Sequence, residues 1–212
     1  MLPTASDSRT RLLDAALATI RRKGYNATTV DDLCTAAGLS KGSFFHHFKS
    51  KEDLALAAVR DWNEGTGALF AGAPYQQVAD PRERLLAYLD FRAALAQGEL
   101  SDISCLLGTM AQEAYATHPA IREACRAGIE GHALTLVPTI AAAKARHAPR
   151  AKWTPESLAL FTQAALQGAF VVAKAAGDSQ AAAPLIAHLR AYVQSLLGGE
   201  PAAPTPRRRA KR

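Results

Sequence analysis

The stretch KGSFFHHF at positions 41–48 sets Lys41, Gly42, Ser43, His46 and His47 among three phenylalanines. Lysine, serine and histidine make hydrogen bonds, and glycine lets a backbone approach closely. Near the start of a short helix, such a group suits the reading of base edges in a major groove or the gripping of phosphates beside it. The same residues suit a plain solvent-facing helix, and on their own they leave both open. His46 and His47 also invite a metal reading. Adjacent helical residues point about 100° apart, and no nearby cysteine or acid completes a coordination shell, so no metal is expected. Cys34, Cys105 and Cys125 form no CxxC pair and no disulfide framework. Cys105 and His132 are the one conceivable catalytic couple. No third group accompanies them, and there is no Gly-rich phosphate loop or HExxH, so neither catalysis nor a cofactor is expected.

The elements that must hold these residues follow from periodicity. Leu12, Leu13, Ala16, Leu17 and Ile20 recur at helical spacing and predict a first helix over 8–23. Ser6 or Asp7 caps it, Arg21, Arg22 and Lys23 suit its negative end, and Gly24 stops it. Thr28 or Thr29 opens a second helix over 30–37, Gly38 allows a tight turn, and Ser40 caps a third over 41–48. A fourth begins after Ser50 and runs past Trp62, with Gly65 and Gly67 expected to weaken its end. Further helices are predicted over 81–97, from Ser101 or Asp102 to 115, over 119–147 with a kink or break at Pro138, over 155–176, and over 182–197. About nine helices and no strand make this an all-α protein.

Val30, Leu33, Cys34 and Ala37 give the second helix an inward face, Leu39 plugs the turn, and Phe44, Phe45 and Phe48 pack the third helix from beneath. Two short helices joined by a glycine-containing turn are a helix-turn-helix. The run GYNATTVDDLCTAAGLSKGSFFHHFKSKEDL resembles the signature of the TetR family of transcriptional regulators. The match comprises a Gly-aromatic pair, Thr-Thr-Val, an acidic-Leu pair, Ala-Gly-Leu-Ser, Lys-Gly-Ser, and Phe-Lys-Ser-Lys-Glu-Asp-Leu. The resemblance implies a DNA-binding domain over 1–51 and an effector-binding and dimerisation domain over 52–199. It implies that Thr29 caps the second helix and touches a phosphate. Ser40, Lys41, Gly42 and Ser43 would begin the recognition helix, with Lys41 reaching guanine. His46 and His47 would lie along the groove or its rim, and Lys51 would bind the DNA backbone. The family usually has tyrosine where Phe45 stands, and often again at His47, so the phosphate contacts here depart from the usual set.

For the second domain the resemblance extends only to architecture. SCLLGTMAQE at 104–113 resembles a segment seen in part of the family, where a Cys-Leu helix lines or abuts the pocket. Trp62, Phe70, Phe91, Cys105, Met110, His132, Phe161, Gln167 and Phe170 are the pocket candidates, and apolar walls with a few polar groups suit a small apolar or amphipathic effector. A sharper form of this reading has the Cys105 thiol sensing electrophiles, although the sequence places no cation beside it. Leu158, Phe161, Ala165, Gly168 and Val172 form one stripe, and Leu185, Leu189, Tyr192, Val193 and Leu196 another. Small residues beside large ones let two helices from each subunit pack as a four-helix bundle, which makes a homodimer the expectation. Two recognition helices would then meet a pseudo-palindromic double-stranded operator.

Charge agrees with a polyanionic partner. Residues 1–51 carry eight Lys/Arg against four Asp/Glu, residues 52–200 twelve against fifteen, and residues 201–212 five against none. The tail PAAPTPRRRAKR from Glu200 onward is expected to be disordered and either to touch DNA or simply to be solvated. No signal peptide and no membrane span are read, so a cytoplasmic, nucleoid-associated protein is expected. The best-supported function is a repressor released by its effector. An activator or a ligand-independent architectural protein would carry the same DNA-binding motif.

Overall fold

The computed structural model describes residues 7–198, which form ten α-helices and two short 3-10 turns, with no strand among the described residues. The helices are α1 Ser8–Lys23, α2 Val30–Ala37, α3 Lys41–His47, α4 Lys51–Ala71, α5 Pro81–Leu95, α6 Leu100–Ile103, α7 Leu106–Ala114, α8 Pro119–His147, α9 Pro155–Ala176 and α10 Ala182–Leu196. The basic tail lies outside the described residues.

Local chemistry explains most of the boundaries. Thr29, Ser40, Ser50, Asp80 and Thr154 each accept a hydrogen bond from a first-turn N–H of the helix they precede. Such a cap contributes about 1 kcal/mol. Thr29 and Asp32 form a reciprocal capping box, and Lys23 bonds the same Asp32 carboxylate at 2.6 Å. The Lys23 bond first, and the Thr29 bonds after it, hold that carboxyl well below its usual range. Asp7 sits at the start of α1 without a side-chain cap bond. Gly38 ends α2 in the left-handed region at φ 61° and sets the turn into α3.

Three expectations are corrected. The segment expected as one helix from 101 or 102 to 115 is two, because Ser104 and Cys105 are extended and the Ser104 hydroxyl turns back to the Leu100 carbonyl. The helix α4 runs through Gly65 and Gly67 to Ala71, and a Cβ at either glycine would meet open space. Packing of the same helix on both sides of the pair outweighs the roughly 1 kcal/mol that each glycine costs against alanine. Of the kink or break expected at Pro138, the break does not occur, because α8 runs through it. It is exposed, and so is Leu134 one turn earlier, so water can take the carbonyl that proline leaves unbonded.

Two apolar clusters hold the fold. One joins α1, α2 and α3 to the first half of α4, α7 and the start of α8, around Leu12, Ile20, Phe44, Leu54, Met110 and Ile121. The other joins α5, α8, α9 and α10 around Leu85, Leu89, Ile140, Leu166 and Val193. By length and composition α9 would suffice to cross a membrane. Here its core face packs against α8 and α10.

Candidate functional site

α2 and α3 form the expected helix-turn-helix, and α3 lies with one face outward. Phe44 and Phe48 pack down into the core, but Phe45 does not share their role and is 57% exposed. A step of one residue turns the helix by about 100°, which sets Phe45 on the outer side with Lys41, one turn earlier. Lys41, Gly42, Phe45 and His46 are exposed, while Ser43 and His47 are half-buried. A Cβ at Gly42 would meet only the Ser40 hydroxyl, at 3.6 Å, so nothing inside the subunit requires glycine there. Gly38-Leu39-Ser40-Lys41-Gly42 spells the G-x-S-x-G pattern of a hydrolase nucleophile turn. It joins two helices rather than a strand and a helix, and Ser40 Oγ is used as a cap.

Several of these side chains already have partners. Lys41 pairs with Asp31 of α2 at 2.8 Å, both well exposed. His47 Nε2 meets the Ser8 hydroxyl, and its ring meets that of His46 edge to face at 4.8 Å. Lys51 does not stand free toward the DNA face. Its ammonium donates to the carbonyls of Tyr25 and Thr28, both at 3.0 Å, and lies 4.2 Å from the centre of the Tyr25 ring. Burial lowers its pKa. Arg11 was not singled out in the sequence, yet its guanidinium bonds the carbonyls of Ala37 and Gly38 and ties α1 to the turn.

The loop between α1 and α2 is also held from the second domain. Glu113 of α7 accepts from the Asn26 backbone N–H at 2.8 Å, and Asn26 Nδ2 donates to the Glu113 carbonyl at 3.2 Å. Gly24 lies against the same carboxylate at φ 88°, leaving no room for a Cβ. Arg21 of α1 lies over the Trp62 ring at 5.2 Å and bonds the Asp102 carbonyl at 3.1 Å.

Trp62 belongs to the wall of a partly open cavity of about 190 Å³ lined by α4, α5, the α6–α7 segment, α8 and α9. Of the sequence candidates, Trp62, Phe70, Cys105, His132, Gln167 and Phe170 line it. Phe91 stacks edge-on against Phe70 and is not itself a lining residue. Met110 is fully buried in the cluster beneath the helix-turn-helix, and Phe161 is on the outside of α9. Sequence reasoning passed over Asn63, Thr66, Arg92 and Gln163, all in the wall. Gln163 donates to the Tyr88 hydroxyl at 3.1 Å, and that hydroxyl meets His132 Nε2 at 3.1 Å. No hydrogen bond joins Cys105 to His132 among the described residues.

Burial, and secondly the nearby Arg92 cation, push His132 down to about 4. It is neutral when folded near pH 7 and takes a proton more readily when unfolded, so stability falls as pH drops from about 6.5 toward 4. The loss approaches about 3 kcal/mol from this residue. Denaturant melts of wild type and His132→Gln across that range are expected to show a steeper decline in wild type. Parallel pH dependence in the two proteins would remove His132 as the cause.

A second cavity of about 280 Å³ shares Cys105, Gln167 and Phe170 with the first and reaches Glu113 and Lys174. Cys105 is half-buried there, and Arg21 and Lys174 both lie within electrostatic reach of its sulfur. Burial raises the Cys34 thiol and pushes Cys125 up to about 12, as suits inert packing.

The stripes expected to pair subunits divide between two sides. Leu158 and Leu189 are buried in the subunit's own core, and Ala165 and Leu196 are half-buried against it. Gly168, Val172, Leu185 and Tyr192 are exposed, together with Leu160, Phe161 and Val171. Phe161 and Tyr192 stack across α9 and α10 with centroids 5.3 Å apart.

Comparison with known proteins bears on the whole arrangement. Residues 12–58 match the family model described as bacterial regulatory proteins, tetR family. Residues 81–189 match the tetracyclin repressor-like C-terminal domain. The transcriptional regulator AcuR of Cereibacter sphaeroides is 32% identical over 115 residues, 52% of this chain and 51% of that protein. The HTH-type transcriptional repressor KstR2 of Mycolicibacterium smegmatis is 40% identical over 81 residues, 36% of this chain and 37% of that one. The chain thus spans about half the length of these curated relatives or less. A solved TetR transcriptional regulator from Chloroflexus aurantiacus is 28% identical with a TM-score of 0.75, covering 88% of this chain and 94% of its own. The reduced form of E. coli NemR shares the fold at 23% identity and a TM-score of 0.73, covering 93% and 100%. With family models matching both the helix-turn-helix and the helical body behind it, the chain belongs to the TetR family of bacterial regulatory proteins.

Proposed function

We propose that the protein is a homodimeric, cytoplasmic transcriptional repressor that leaves its operator when a small molecule enters the cavity beside α4. Residues 1–51 act as the DNA-binding head and residues 52–199 as the effector and dimer unit. The observation that carries this reading is the continuity of α4. Its first turns pack under the helix-turn-helix, and its last turns, from Trp62 to Phe70, line the cavity, the whole helix being about 30 Å long. The Glu113–Asn26 bonds and the Arg21–Trp62 contact give the head two further attachments to the cavity region. A ligand that favours a different setting of α4 and α7 also favours a different spacing of the two α3 helices. It lowers DNA affinity only by as much as it prefers that state. Half-sites about 34–36 Å apart fit a two-fold pair of such heads.

The test is fluorescence anisotropy on duplexes selected from a random pool, over a salt series, beside a Lys41→Ala/His46→Ala variant. Tight, salt-sensitive binding that weakens in the variant, on sites with two half-sites, supports the reading. Equal binding by wild type and variant would sink it. A second expected outcome concerns Asp31. An exposed ion pair is worth little, so Lys41 can exchange this partner for DNA. Asp31→Asn frees Lys41 and removes a like charge from the approaching phosphates. Affinity is expected to rise about threefold or more near 0.1 M salt, with the gain shrinking as salt screens it. Unchanged or weaker binding would show that the pair positions Lys41 instead.

The setting of Cys105 supports a second reading, in which electrophiles modify its thiol and shift the same equilibrium. Cys105→Ser is then expected to bind DNA normally but to ignore electrophiles such as N-ethylmaleimide. A response equal to that of wild type would dispose of this reading.

A further inference from the structure

Arg92 stands in the cavity wall as a cation without an anion. Its guanidinium carbon lies 5.2 Å from the centre of the Phe70 ring and 5.7 Å from that of Phe170. Ring faces attract the charge, but they do not accept the in-plane N–H bonds of a group that carries five donors. Among the described residues no carboxylate or carbonyl pairs with this guanidinium. The other charged lining residue, Asp102, is exposed and belongs to Arg21, at 4.0 Å. The nearby polar groups are neutral. Gln163, Tyr88 and His132 bond one another in a chain, and the Gln167 amide occupies the room left by the missing Cβ of Gly108.

A partly desolvated arginine among aromatic rings, with open space before it, has the chemistry of a carboxylate receptor. We propose that the effector is a small carboxylate, seated with its anionic head on Arg92 and its apolar body against Trp62, Phe70 and Phe170. The inference rests on the effector reading above and narrows it from apolar or amphipathic compounds to anions with an apolar body. A cavity of roughly 150 Å³ holds benzene, so one of about 190 Å³ admits a single ring or a short chain bearing one carboxylate.

Benzoate and benzamide share a ring and a shape and differ in charge, so they form the probe pair. Each is titrated calorimetrically into wild type, Arg92→Met and Arg92→Lys, with DNA anisotropy followed in parallel. Quenching of Trp62 in a Trp153→Phe background locates the bound compound. In wild type, benzoate is expected to bind roughly ten- to hundredfold more tightly than benzamide, the size of a charge-assisted pair. Benzoate is also expected to release DNA. The preference disappears in Arg92→Met and survives in part in Arg92→Lys, while benzamide binds all three alike, which also shows that the variants are folded. Benzamide binding as tightly as benzoate in wild type, or a preference that persists in Arg92→Met, overturns the carboxylate and leaves the effector cavity intact. Charge-selective binding with no effect on DNA would instead sustain the carboxylate site and overturn its role as the effector site. If neither compound binds at millimolar concentration, the proposal falls.

Discussion

Val172→Glu is expected to produce a folded monomer that binds operator DNA about a hundredfold or more weakly than wild type. Leu160, Phe161 and Val172 on α9 and Leu185 and Tyr192 on α10 are exposed apolar residues, and Phe161 and Tyr192 meet across the two helices. Faces of that kind on a subunit mark a contact with another molecule. In a two-fold dimer each subunit offers the same patch to its copy, so a glutamate at 172 is buried against an apolar surface and set near its own symmetry mate. Val172 is 49% exposed in the single chain, so the substitution costs the subunit's own packing little. The penalty appears at the interface and passes to DNA, because joining two heads multiplies affinity by about 10² to 10⁴ through effective concentration. Light scattering reads the mass, circular dichroism the fold, and anisotropy the DNA affinity. A variant that stays dimeric and binds as wild type would place the interface on another face.

Gly42→Leu is expected to make the protein slightly more stable and nearly unable to recognise its site. Glycine inside a helix costs about 0.5–1 kcal/mol relative to alanine, and leucine is also a good helix former. Gly42 is exposed and a Cβ there meets only the Ser40 hydroxyl, so a longer side chain is expected to point into solvent. Its cost falls on the partner instead. A branched side chain beside Lys41 holds α3 away from the groove and breaks several base contacts, each worth about 1–3 kcal/mol. A loss near a hundredfold follows from two such contacts. Gly42→Ala should show the stability gain with a smaller loss. The informative signature is opposite movement of melting temperature and DNA affinity. A variant that gains stability and keeps full affinity would show that α3 does not approach DNA closely at this position.

Local chemistry was the easiest part to read. The caps at Thr29, Ser40, Ser50, Asp80 and Thr154 and the turn at Gly38 lie within four residues of what they control, so the sequence carries them openly. Partners distant in the chain were not legible. Lys51 looked free for a phosphate because its acceptors are backbone carbonyls some 25 positions away, and carbonyls leave no mark in a sequence. Glu113 was hidden for the same reason, its partner lying 87 residues back. The division of α9 into core and exposed sides failed for a different reason. Apolar residues surround this helix on nearly every side, and periodicity cannot rank two apolar faces. Phe161 was therefore given a place in the pocket as well as in the dimer stripe, and Leu158 a place in the dimer contact. Arg92 did leave a trace. It continues the buried stripe Leu85, Tyr88 and Leu89 at helical spacing, and a charge at such a position calls for a partner of its own.

The two open glycines of α4 bear on how different ligands will act. Trp62 and Asn63 lie on the head side of Gly65 and Gly67, whereas Leu69 and Phe70 lie beyond them. A helix bends most easily where side chains are missing and nothing packs alongside. A displacement imposed at Phe70 is therefore expected to be partly absorbed before it reaches the head, unlike one imposed at Trp62. How tightly a compound binds and how fully it induces are then separate properties. In the proposed effector scheme, a compound pressing on Trp62 and Asn63 is expected to act as a full inducer, and one of equal affinity that rests on Phe70 alone as a partial inducer or an antagonist.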